Sequence, residues 1–371
     1  MLHRMHTQPI WRRGILPALS CLVLGALLLN ACSSPSANNP GSTSSGASPT
    51  PTVSSTLQEQ GKAELSTFQQ WITLLQQNGG DVTTYQQQYN SDQQALTRAS
   101  TNAAYTAALK TLQGHVSSIQ IPAMKQEISA LQQQLQQKVS SWGSQHTFHD
   151  SYNNTTYSLD YEYDNVKGIG GPLWLQEEVQ TSKSLADYQQ AVEDLNMWLY
   201  NFQEMTVNFT DKTPFNQPHQ TDLAIMKHYD YMNERVVIVS LSEQTLRAYD
   251  HGKLVKAFHV TTGQPDLPSP PGNWWFEGKQ HPTVFKSSAP KGSPDWYPDT
   301  PITYAMQYHS NGYFFHDAWW RTEFGVGTNF PHADPGSPFA TQGSHGCVNM
   351  STSDSAWLYD FVSVFTQISI Y

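Results

Sequence analysis

Cysteine is scarce in this chain, with three in 371 residues, at Cys21, Cys32 and Cys347. So few thiols exclude a disulfide framework as the source of stability. Charge is scarce as well: Asp, Glu, Lys and Arg make up 13% of the residues, against about 25% in typical soluble proteins. Gln, Ser, Thr and Asn therefore carry most of the solubility. The formal net charge is −10 and no long Lys/Arg block occurs. That excludes nucleic acid as a partner, because its binding requires clustered neutralisation of phosphates. The length is enough for more than one domain.

Long apolar runs are nearly absent too. The exception, Ile15 to Leu29, is short for a comfortable membrane span and follows Arg4, Arg12 and Arg13. It ends in Leu29-Asn30-Ala31-Cys32, followed by Ser33, Ser34, Pro35 and Ser36. This segment resembles a bacterial lipoprotein signal, apart from Asn30 where a small residue is usual. The resemblance implies export, cleavage before Cys32, lipid acylation of Cys32 and a membrane-anchored protein facing the cell wall. Residues 1–32 are thus expected to be an address, and residues 33–56, rich in Ser, Pro and Thr, a disordered tether. Such processing leaves Cys347 as the only thiol, and a lone thiol outside the cytoplasm invites a chemical explanation.

The remaining residues divide into two textures, predicting a multidomain α + β chain. Over residues 57–222 the spacing is helical: Leu65, Phe68, Ile72 and Leu75, then Ile128, Leu131, Leu135, Val139 and Trp142, then Leu185, Tyr188, Val192, Leu195, Leu199 and Phe202. Pro122 reads as a first helical turn. An antiparallel helical bundle is expected there, a stalk or wall-docking element, its Gln clusters read as solvated helix faces. Lys212 to Gln220, with Pro214 and Pro218, reads as a hinge. Residues 223–371 read as mostly β with long loops, a sandwich or barrel-like body. Strands are expected at Val236–Val239, Thr245–Tyr249, Leu254–Val260, Thr303–Tyr308, Tyr313–His316 and Gln367–Tyr371.

The chemistry is concentrated in Gly343-Ser344-His345-Gly346-Cys347-Val348-Asn349. A thiol near its reference pKa of about 8.5 is only a few per cent thiolate at pH 7. A catalytic cysteine therefore needs an imidazole or aimed backbone amides to lower that value. Gly346 lets the chain turn sharply beside Cys347 and present amides to a developing oxyanion.

In this setting the region from about Tyr229 to Tyr371 resembles the L,D-transpeptidase (YkuD-like) catalytic domain. The matching blocks are Arg235 to Tyr249, Val260-Thr261-Thr262-Gly263 with Pro268 to Gly272, Phe314-Phe315-His316, Ser344 to Asn349, and Asp354 to Tyr359. They occur in the family's order and cover about two-fifths of the chain. The resemblance implies that Cys347 is the nucleophile and His316 the general base. Ser344, His345 and Gly346 would form the nucleophile loop and oxyanion hole, and Asn349 would lie near the donor site. Asp317 stands where the family has Gly or Ser, whose carbonyl orients the histidine. It would orient the ring through that carbonyl or through its own carboxylate. Trp319 and Trp320, in a longer segment than usual, are expected at the substrate.

The implied activity is acyl transfer through a Cys347 thioester from a peptidoglycan stem peptide, releasing D-Ala, to an amine acceptor. Carbapenems are implied as covalent inhibitors, and no cofactor is implied. Alternatives remain: an L,D-carboxypeptidase on the same site, a non-catalytic wall-binding lipoprotein, and His345 as the base. A metal site among His309, His316, His332, His345, Asp317 and Asp334 has no recognised ligand spacing, so no metal is expected.

Overall fold

The first helix, α1 (Ser55–Gln77), begins where Ser54 caps the amide of Leu57, and it buries Phe68, Trp71, Ile72 and Leu75. The computed structural model describes residues 52–151, 153–293, 296–331 and 343–371. After α2 (Thr83–Arg98), α3 (Asn102–Gly143) runs for 42 residues, which at ~1.5 Å per residue is about 63 Å. Pro122 lies inside α3 rather than at a helix start. An interior proline costs about 3 kcal/mol or more. Here the buried stripe is continuous across it, from Leu109, Leu112, Val116 and Ile119 to Ile128, Leu135 and Val139. Packing of both halves against α1 and the later α5 therefore overrides the break.

Next comes a hairpin that the spacing does not announce, β1 (Thr147–Asp150) and β2 (Thr155–Ser158). Its strands are short and largely exposed, so no alternation marks them. Turns lead to α4 (Leu175–Thr181) and then α5 (Leu185–Asn208), which opens with a reciprocal capping box between Ser184 and Asp187. The expected stripe is buried at Tyr188, Leu195 and Phe202, but α5 also buries Ala191, Trp198, Asn201, Met205 and Asn208. The second stripe exists because α5 lies between α3 on one side and the sheet and α6 (Gln220–His228) on the other.

The β part is built from β3 (Arg235–Ser240), β4 (Thr245–Asp250), β5 (Lys253–His259), β6 (Gly272–Trp275), β7 (Gly278–Gln280), β8 (Thr283–Phe285), β9 (Thr300–Ile302), β10 (Ala305–His309), β11 (Tyr313–Asp317), β12 (Val348–Met350) and β13 (Gln367–Ile370), with α7 (Thr352–Phe361) before the last strand. One sheet has the order β5-β4-β3-β13-β6, another β12-β11-β10-β7, and β8 pairs with β9. The strand expected at Thr303–Tyr308 is broken instead. Thr303 and Tyr304 leave the ladder because their amides donate to the Asp317 carboxylate, at 2.8 and 2.7 Å.

Residues 51–371 form one compact unit with a continuous apolar core. The segment read as a hinge ends in fully buried His219, whose Nδ1 lies 2.9 Å from Asn208 Oδ1. The expected border between residues 222 and 223 falls within α6. Asp222 on that helix pairs with buried Arg247 of β4 and accepts from the Tyr249 and Tyr371 hydroxyls at 2.6 Å each. Burial alone would lower the Arg247 pKa, but the Asp222 carboxylate and its neighbours hold it above the usual arginine value. Among the described residues no helix is long and apolar enough to cross a membrane.

Candidate active site

The Cys347 loop is fixed from two sides before any chemistry is considered. The segment after β5 grips it: Ser344 N–H donates to Thr262 O at 2.9 Å, and Gln264 N–H donates to Ser344 O at 3.0 Å. Thr261 and Asn349 exchange both backbone bonds, at 3.0 and 2.8 Å. Within the loop, Ser344 Oγ accepts from Gly346 N–H at 3.0 Å and donates to the Cys347 carbonyl. Ser269 Oγ accepts from Gly263 N–H at 2.9 Å and donates to Gly346 O at 2.8 Å, and the Tyr308 hydroxyl reaches the same carbonyl at 3.3 Å. Gly346 has φ +99°, and a Cβ there would lie 2.4 Å from the Tyr313 ring. Only glycine fits. The Gly346 amide, expected at the oxyanion hole, is engaged by Ser344.

Cys347 Sγ lies 3.9 Å from Gly312 O, with the Phe314 N–H also directed to it. Burial pushes the thiol up to about 11, against the lowering effect of the Phe314 amide. The sequence suggests a lowered pKa; here desolvation outweighs the Phe314 amide and the thiol is neutral. Burial raises the phenols of Tyr297 and Tyr313, and the nearby Cys347 sulfur adds to the rise, taking Tyr313 to about 12.

His316 sits on β11, which pairs in parallel with β12 so that Phe315 faces Val348 and His316 faces Asn349. Its Nδ1 is 2.9 Å from the Asp317 carbonyl oxygen and its Nε2 is 2.9 Å from Asn349 Nδ2. A carbonyl can only accept, so Nδ1 carries the proton and Nε2 the lone pair. Burial lowers the His316 pKa to about 4, opposed by the Asp317 carbonyl and charge, so the ring is neutral. Phe285 and Trp320 flank it, with ring centroids at 5.0 and 6.1 Å.

The remaining candidates separate. Of the two ways open to Asp317, the carbonyl meets the ring and the carboxylate serves Thr303 and Tyr304. His345 is exposed, its ring 5.5 Å from that of Tyr297. Trp319 is exposed and donates from Nε1 to Pro301 O at 3.0 Å, while Trp320 lies against His316. Asn349, expected at the substrate, is buried, with its amide spent on His316 and Arg321. Cys32, His332 and Asp334 lie outside the described residues. Among the described residues no cluster of three or more His, Cys, Asp or Glu could hold a metal ion.

Several contributors escape sequence reasoning. Arg321 Nε donates to Asn349 Oδ1 at 2.9 Å. Trp174, from before α4, packs on Tyr313, His309 and Trp274 at ring distances of 5.8, 5.1 and 6.1 Å. No local pattern signals these contacts, which join segments far apart in sequence.

The family model "L,D-transpeptidase catalytic domain" (YkuD) matches residues 234–370. L,D-transpeptidase 1 of Mycobacterium tuberculosis is 26% identical over 136 residues, 36% of this chain and 49% of that protein. L,D-transpeptidase 2 of the same species is 26% identical over 141 residues, 37% of this chain and 31% of that protein. The chain thus spans half or less of the length of these relatives. Among solved structures, the catalytic domain of an Enterococcus faecium L,D-transpeptidase is 26% identical with a TM-score of 0.31, over 38% of this chain and 99% of that one. An L,D-transpeptidase in complex with imipenem is 24% identical with a TM-score of 0.31, over 37% of this chain and 58% of that one. Over residues 234–370, which hold the Cys347 loop and the paired strands β11 and β12, the chain is similar to the L,D-transpeptidase catalytic domains of the YkuD family.

Proposed function

We propose that the chain is a peptidoglycan L,D-transpeptidase with Cys347 as nucleophile and His316 as general base. The observation that carries this reading is the β11–β12 pairing. It brings His316 level with Asn349, two residues beyond Cys347, with Nδ1 anchored on a carbonyl and a lone pair on Nε2. An anchored neutral imidazole beside a neutral thiol is the arrangement that removes a proton as a nucleophile attacks.

In the reaction the thiol turns from Gly312 O toward His316 and gives its proton to Nε2. The sulfur attacks the carbonyl before the terminal D-Ala of a donor stem peptide, the C–N bond breaks, and the D-Ala amine takes the proton from the imidazolium. An acceptor amine then attacks the thioester and gives a proton to His316. The C–S bond breaks, and the thiolate recovers the proton. The Ser344 Oγ–Cys347 O and Ser269 Oγ–Gly346 O bonds hold the loop carbonyls in place through these steps.

The N-terminal address belongs to the same proposal. Residues 1–31 export the chain and Cys32 takes lipid, so the enzyme faces the wall from the membrane, with the residues between Cys32 and α1 as tether. The helices set its reach. The test is intact-mass spectrometry of the purified protein with imipenem and with donor and acceptor stem peptides. A covalent adduct absent from Cys347→Ala, and a cross-linked product with release of D-Ala, are the expected results. Adducts on Cys347→Ala would overturn the assignment of the nucleophile, and a hydrolysed stem as the only product would overturn transpeptidation.

A further inference from the structure

The tautomer of His316, set at Nδ1 by the Asp317 carbonyl, is guarded at Nε2 by a residue that never touches the ring. Arg321 Nε can only donate, so the Asn349 atom 2.9 Å from it is the oxygen. The amide nitrogen must then face His316 Nε2, also at 2.9 Å. An N–H donor facing Nε2 requires a lone pair there, which agrees with the Nδ1 proton on the Asp317 carbonyl. The three contacts form one directional line, guanidinium to amide to imidazole to carbonyl, and each member is buried. Burial is what makes the line decisive. A reversed amide would set two donors, Asn349 Nδ2–H and Arg321 Nε–H, against each other without water to relieve them.

We infer that Arg321 is a positioning residue for the base: by fixing the Asn349 amide, it holds His316 in the Nδ1–H form that leaves Nε2 free to take the Cys347 proton. This rests on His316 being the base. Without the Arg321 donor, the amide turns over and presents Oδ1 to Nε2. The two oxygens then compete for the one ring proton, and a ring that follows the turned amide carries it on Nε2, gives up its bond to the Asp317 carbonyl and loses the lone pair at Nε2. The same line also makes Asn349 a competitor for the lone pair. Nε2 accepts from Asn349 or from the Cys347 thiol, and one contact gives way to the other when the thiol turns inward.

The test uses the full chain as wild type, Arg321→Met and Arg321→Lys. Nitrogen-15 NMR of the histidine rings reports the tautomer, with the His316 signals identified by their loss in His316→Gln. The second-order rate of acylation by imipenem reports the base. Arg321→Met is expected to move His316 to the Nε2–H form and to slow acylation by about 10-fold or more. Arg321→Lys, which keeps a donor, is expected to restore most of the rate and the Nδ1–H form. If Arg321→Met keeps the Nδ1–H form, the inference is overturned, whether or not the rate falls. Should Arg321→Met fail to fold, Asn349→Asp presents an oxygen to Nε2 with Arg321 intact; an unchanged Nδ1–H form there would overturn it equally. A wild type that imipenem never labels would instead count against Cys347 chemistry, and the tautomer measurement would still judge Arg321.

Discussion

The Tyr161 hydroxyl donates a 2.7 Å hydrogen bond to the carbonyl oxygen of Gly263 and accepts one of 2.8 Å from Asn329 Nδ2. Gly263 is bridged to Ser344, and its amide is held by Ser269, which also holds Gly346. One phenol from the segment after the β1–β2 hairpin is therefore three hydrogen bonds from the Cys347 loop. Nearby, Phe148 and Tyr157 of the hairpin stack on Phe330 at 4.8 and 4.9 Å. The region before α6 thus contacts the segments that hold the Cys347 loop.

Tyr161→Phe is expected to lower stability by about 1–3 kcal/mol, because it strands a buried carbonyl and a buried amide. It should also slow acylation of Cys347. Denaturant unfolding read beside the imipenem rate checks both; a rate equal to wild type would separate Tyr161 from the loop.

Gly346→Ala is expected to cost roughly 1–3 kcal/mol in backbone strain, before the clash of the new Cβ with Tyr313. Acylation should fall to near background. Wild-type kinetics in a folded Gly346→Ala protein would show that the +99° turn is not required.

Alkylation of Cys347 by iodoacetamide depends on the thiolate, and burial pushes this thiol up to about 11. The rate should therefore keep climbing about tenfold per pH unit through pH 9. A plateau below pH 8 would mean that a thiolate–imidazolium pair exists in the resting enzyme.

Glu162 is buried beside Tyr161, and burial raises its carboxyl from 4.5 to about 8. Its folded pKa lies above the unfolded one, so its contribution is complete below about pH 4.5 and is lost as pH rises through about 8. Unfolding free energy measured from pH 5 to 9 should fall toward the alkaline end, and Glu162→Gln should flatten that decline. An identical slope in the variant would remove Glu162 as its source.

The legible parts of the sequence are those whose signal is local. The β-branched run Val236–Val239 lies in β3, Asp250 to Lys253 turns into β5, and Tyr313–His316 lies in β11. Cys347 stands out because Ser344, His345 and Gly346 carry its chemistry within a few positions, whereas His316 is marked through the family resemblance of Phe314-Phe315-His316. Arg321 and Asn349 are 28 residues apart, and Ser269 and Gly346 are 77 apart. Those pairings depend on strand register, which period and composition do not encode. Pro122 misleads for the opposite reason, since a strong local signal is overruled by burial on both sides.

Arg247 gives the catalytic half a dependence on what precedes it. Its guanidinium is fully buried and pairs with two carboxylates, Glu243 within the family match and buried Asp222, twelve residues before that match begins at residue 234. A recombination event that joined residues 234–371 to another leader would leave this buried cation with Glu243 as its remaining carboxylate partner. It would also deprive the Tyr249 and Tyr371 hydroxyls of their shared acceptor. In this chain the matched region is therefore tied through Asp222 to α6, and α6 is seated against α5.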